Sequence, residues 1–196
     1  MENWYKTVKR TGRIDEIGAR LDAMSHAERV KAVRSMCAGT QALLWEMAEG
    51  TELTLEDFVP ADKPALTEVI HFGKNSMPLF SSFEKRFSRP ANGGTGRALL
   101  GYNEGMLRPV VGPGYFMVRE TPRSGKGPVV IDYYATPRET VPAWPAIAGK
   151  DSGLPALVYG FMHDYMRKVS AHVTIGRAYK FHNVTNNYFL LCRDAR

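Results

Sequence analysis

His71, Lys74, Asn75 and Ser76 stand close together just before Pro78. Proline's fixed φ suits the first turn of a helix. A helix start leaves backbone N–H groups unpaired and attracts anions. A carboxylate or phosphate placed there would meet those N–H groups, the Lys74 ammonium and the Asn75 and Ser76 side chains. His71 would orient the same ligand or act as a general base. The plainer reading is that Ser76 caps the helix and Lys74 is solvated. A lone histidine is also more often a hydrogen-bonded structural residue than a catalyst.

Asp132 is the second candidate. It lies inside the apolar run Val129-Val-Ile-Asp-Tyr-Tyr134, on the same face as Val130 and Tyr134 if the run is a strand. A buried carboxylate needs a partner, and desolvation suits it to proton transfer. The competing reading is an outward-facing Asp132 paired with Arg119 or Arg177 across the sheet. Tyr102, Asn103, Tyr115 and Tyr133 could line a cavity, since tyrosine offers an apolar body and a polar tip. Aromatic residues are equally what a packed sheet needs.

Other chemistries find little footing. No HExxH and no paired-cysteine spacing occurs, so no metal is expected. Arg89-Pro-Ala-Asn-Gly-Gly-Thr-Gly96 fits neither phosphate-loop pattern and reads as an ordinary loop. The Gly-x-Ser-x-Gly elbow is absent. No cofactor is called for. Cys37 and Cys192 sit among apolar neighbours and read as buried free thiols.

The elements that must position these residues follow from periodicity. Ser25 and Glu28 form a capping box, and apolar residues then recur at helical spacing from Val30 to Met47, where Gly50 stops the run. A shorter helix over 14–24 precedes it, with a thin apolar face suited to the domain surface or to a second copy of the chain. Leu79, Phe80, Phe83 and Phe87 predict a helix after Pro78, with Glu84, Lys85 and Arg86 on its polar side. Strands are expected over 98–103, 115–121, 129–136, 172–180 and 188–193, with a hairpin at Pro122-Arg-Ser-Gly-Lys-Gly-Pro128. A helix over 154–169 carries Phe161, Met162, Tyr165 and Met166 on an apolar stripe.

The expected fold is therefore α+β: N-terminal helices followed by a curved, mainly antiparallel five-stranded sheet, able to close like a barrel, with helices on one face. Residues 1–196 are expected to form a single domain, with a helical segment over 1–50 and an α+β core over 65–196. The 44% hydrophobic and 23% charged composition is that of an ordinary globular chain. No run approaches the ~18 apolar residues of a membrane span, and no leader pattern is seen, so a cytoplasmic protein is expected.

These readings converge on a small-molecule-binding domain. Its ligand is expected to be an anionic organic molecule in a pocket between sheet and helices, with acid/base chemistry from His71 or Asp132. The alternative is a protein- or nucleic-acid-interaction module. The net charge of +6 and pI near 9.4 favour anionic partners, and Lys6, Lys9, Arg10 and Arg13 form a basic N-terminal cluster.

Overall fold

The computed structural model describes residues 2–78, 81–91, 98–105, 112–147 and 162–195. Four helices come first: α1 (Trp4–Thr11), α2 (Ile14–Asp22), α3 (His26–Ser35) and α4 (Ala38–Met47). Eight strands follow: β1 (Val69–Asn75), β2 (Ser82–Ser88), β3 (Ala98–Glu104), β4 (Tyr115–Glu120), β5 (Val129–Asp132), β6 (Met162–Lys168), β7 (Val173–Lys180) and β8 (Asn183–Arg193). Each pairs antiparallel with its neighbour in sequence, and β1 also pairs with β8, so the sheet is a closed barrel. The expected antiparallel α+β arrangement holds; five strands become eight. Closure leaves no unpaired edge.

Two of the additional strands stand where helices were expected. Residues 76–78 form a bend, and Ser82–Ser88 is strand β2. Leu79 and Phe80 lie outside the described residues, as do 154–161 of the other expected helix, whose remaining part Met162–Lys168 is strand β6. The single long helix expected after Ser25 is two. The Ser25–Glu28 capping box starts α3, but Met36 is extended and Cys37 becomes the N-cap residue of α4. Cys37 is therefore exposed, and only Cys192 is buried. Burial pushes the Cys192 thiol up to about 11.

The barrel is filled by its own side chains. Inside it, Gly73 faces Phe83, Gly101 faces Phe116 and Gly176 faces Phe189 across neighbouring strands. Each phenylalanine ring occupies the space a glycine Cβ would take, at 2.3 to 2.5 Å from that position. Such aromatic–glycine pairing lets a narrow barrel close. At Gly101 the position is also 2.4 Å from the Arg86 carbonyl oxygen, which is backbone and cannot swing aside. Gly101→Ala is expected to cost about 1–3 kcal/mol by overpacking. A urea melt checks this; an unchanged midpoint would show that the ring and backbone yield freely.

One end of the barrel is closed by the segment after α4. Leu53, Leu55, Phe58 and Val59 join Val69, Phe87, Leu99 and Val118 in one buried cluster. The helices cover the outer wall of β7 and β8: Trp4, Val8, Ile17, Leu21, Val33, Leu44 and Trp45 bury against Val173, Ile175, Leu190 and Cys192. The thin apolar face expected of α2 thus belongs to the core. Trp144, on the connection after β5, packs on Tyr102 and Tyr115 and covers the outer face of β3 and β4.

Candidate functional site

Strand alternation sends the candidate residues to different places. His71 points into the barrel floor and is 1% exposed. Its Nε2 lies 2.9 Å from the Phe58 carbonyl, and burial pushes its pKa down to about 3. At physiological pH it is a neutral ring held between Phe58 and Phe87. Lys74 donates to Ser81 Oγ, Asn75 Oδ1 accepts from the Met77 N–H, and Ser76 exchanges hydrogen bonds with the Tyr188 backbone. Ser82–Ser88 is strand where the helix after Pro78 was expected. Those three side chains serve the β1–β8 end of the sheet.

Tyr102 and Tyr115 face outward. The Tyr102 hydroxyl donates to Glu104, and burial with that carboxylate nearby pushes its pKa up to about 12. Tyr115 donates to the Pro145 carbonyl. Asp132 is also outward, buried beneath Arg119, whose Nη2 donates to Oδ2. His163 Nε2 stands 3.3 Å from Oδ1, and burial holds the His163 pKa below its ordinary value. Of the expected residues, Asn103 and Tyr133 point into the barrel's interior toward a polar cluster.

That cluster is built on Lys85 in β2, which the sequence had placed on the solvent side of a helix. The strand register of Phe83, Lys85 and Phe87 turns it inward, where it is 3% exposed. Its Nζ donates to Asn103 Oδ1 at 2.7 Å and, still closer, to the Tyr133 hydroxyl. Asp164 Oδ2 from β6 lies 3.5 Å away. The rings of Phe116, Tyr133 and Phe189 have centroids 5.1 Å from Nζ, and that of Phe83 lies at 5.6 Å. Side chains of five strands, four aromatic rings among the groups, thus converge on one ammonium group, within cation–π reach.

Burial dominates the electrostatics here. It lowers the Lys85 pKa to about 8 even though Asp164 opposes the shift, and it raises that of Asp164 even though Lys85 opposes that one. Each partner only partly repays the other's desolvation. Asp164 Oδ1 has no hydrogen-bond partner among the described residues. The arrangement offers a cation near its titration range, a hydroxyl, an amide and an unsatisfied carboxylate oxygen on an aromatic lining. Chemically it is a buried proton-exchanging pair in an aromatic surround.

Among the described residues no three His, Cys, Asp or Glu side chains gather as metal ligands, and no helix is long and apolar enough to cross a membrane. Comparison with known families, curated proteins and solved structures finds no match for this chain.

Proposed function

We propose that this chain is a small-molecule-binding barrel. Its ligand is an organic molecule with an anionic head that lies on Lys85, Asn103 and Tyr133 and an apolar body that lies against Phe83 and Phe189. The observation that carries this reading is the buried Lys85–Asp164 pair. A barrel that needed only to be stable would fill this layer with apolar side chains, because a buried ion pair is often no better than a hydrophobic pair of equal volume and can be worse by ~1–4 kcal/mol. An anionic head that draws Lys85 away from Asp164 leaves the carboxyl to take up a proton, the form that burial already favours. The protonated carboxyl then donates to the head. Ligand uptake therefore consumes a proton.

The space between sheet and helices, where such a ligand was first expected, is occupied by the apolar side chains of the helix–barrel core. The interior is the better seat. Phe83 is the inward residue nearest the Ser82 end of β2, is only partly buried, and rests in the slot left by Gly73. Its rotation would give access to Lys85.

The test uses the intact chain and the anionic fluorophore anilinonaphthalene sulfonate, together with a native mass spectrum of the protein as purified. Saturable one-to-one binding of the fluorophore is expected, with retained non-covalent mass in the spectrum. Both should disappear in the Lys85→Met/Asp164→Leu double variant. A bare mass together with fluorophore binding that the double variant does not alter would overturn the reading.

A further inference from the structure

From Arg119 on β4 the outer face of the barrel runs past His163 on β6 to the β7–β8 turn, beyond the part of β6 and β7 where Tyr165 and Arg177 meet the helices. It is aromatic and basic. Tyr134 stacks on His163 at 4.7 Å with an interplanar angle of 22°, and lies nearly parallel to His182 at 6.2 Å and 15°. Lys126 stands over the rings of Tyr165 and Tyr179. Asp132, buried in this wall, is already engaged by Arg119 and His163. Lys126 and Lys180 add positive charge, and Arg177 lies 4.0 Å from Glu46 of α4.

The turn at the end of this wall is the second observation. Lys180 pairs with Asn183, so Phe181 and His182 alone make the turn, and both have positive φ, 49° and 65°. Asn-Gly is the sequence that fits such a turn without strain; an aromatic residue there is held at a cost. The strain keeps two rings at the tip, with Phe181 55% exposed and Tyr134 beside them 43% exposed.

We propose that this wall binds single-stranded nucleic acid, with bases stacking on Phe181, His182 and Tyr134 and the phosphate backbone following Arg119, Lys126 and Lys180. The pairing of stacking faces with the cations Lys126 and Lys180 is what selects this partner. Aromatic rings alone would suit a sugar, and cations alone a duplex backbone. Stacking platforms set along a positive groove are how sequence-tolerant single-strand binders work. The chain's net charge of +6 favours the same partner.

Fluorescence anisotropy of the full chain with a labelled fifteen-nucleotide thymidine strand tests the proposal. Binding in the micromolar range is expected at about 50 mM salt, weakening steeply as salt rises. The decisive variant is Phe181→Asn/His182→Gly. It should melt at a higher temperature than the parent, because it relaxes the turn, yet bind about tenfold more weakly, because it removes two stacking faces. A role in stability alone would not move the two quantities in opposite directions. Tyr134→Ala should weaken binding in the same way. No anisotropy change up to about 100 μM protein would overturn the proposal. So would parent-like affinity in the turn variant, or loss of binding only when Lys6, Lys9 and Arg10 are changed to Glu, which would move the contact to α1. Equal affinity for a duplex of the same length would also overturn it, since stacking would then contribute nothing.

Discussion

Lys85→Met is expected to lower stability at pH 7 by about 3–5 kcal/mol, and adding Asp164→Leu to it is expected to restore most of that loss. The single change leaves Asp164 in the barrel with no cation, at 2% exposure and with one carboxylate oxygen already lacking a partner. The penalty should shrink toward pH 5, because a bare buried carboxyl with a raised pKa takes up a proton as pH falls and ceases to be a buried charge. Asp164→Leu alone should behave as the mirror image. It strands the Lys85 ammonium, whose pKa burial already holds near 8, and the cost should ease toward pH 9 as the amine loses its proton.

The double variant removes both charges and returns comparable volume. Asn103 and Tyr133 lose Lys85 but keep each other, since Asn103 Nδ2 donates to the Tyr133 hydroxyl at 3.2 Å. The double variant should therefore lie within about 1 kcal/mol of the parent, or above it, in urea unfolding. That cycle separates function from architecture. If the double variant is as unstable as the weaker single variant, the pair is a structural requirement and its presence says nothing about a ligand. If stability returns while fluorophore binding does not, the pair is held for binding.

The sequence concealed this site for a definable reason. Phe83 and Phe87 are four residues apart, as are Met162 and Met166. That interval satisfies a helix, where it spans one turn, and a strand, where it is twice the side-chain period. What decides between them is the residue midway, Lys85 in one case and Asp164 in the other. On a helix each falls on the polar side; on a strand each shares the buried face of its apolar neighbours. The assumption that charges stay outside therefore selects the helix, and it fails at the two positions where the barrel holds charge inside. Elements fixed by local chemistry were legible. The Ser25–Glu28 box starts α3, and the Pro122–Pro128 segment joins β4 to β5. Asn103, read as a candidate for lining a cavity, lies in the interior cluster because its strand was read correctly. Asp132 found Arg119, one of the two partners that cross-strand pairing offered. Tyr102 and Tyr115 were assigned to a cavity because a strand's sequence shows which residues share a face and not which face is inside.

Acid should unfold this protein through His71. The ring is buried as the neutral form, and its Nε2–H donates to the Phe58 carbonyl. Its Nδ1 has no partner among the described residues, so a proton added there would be a buried charge with no acceptor. Burial holds the folded pKa near 3 against an ordinary value of 6.5. Between those values the unfolded chain binds a proton that the folded chain refuses, so the stability present above pH 6.5 drains away as pH falls toward 3. At about 1.4 kcal/mol per pH unit, His71 accounts for roughly 2–3 kcal/mol between pH 7 and pH 4.5. His71→Gln keeps an N–H for the Phe58 carbonyl but does not titrate. It should be less stable than the parent at pH 7, having lost its packing on Phe58 and Phe87, and should lose that much less on going to pH 4.5. Urea melts of both proteins at the two pH values give the comparison, in which every other titrating group is common to both. Parallel pH dependence would show that His71 reaches water, and that the floor formed by Phe58 is not sealed.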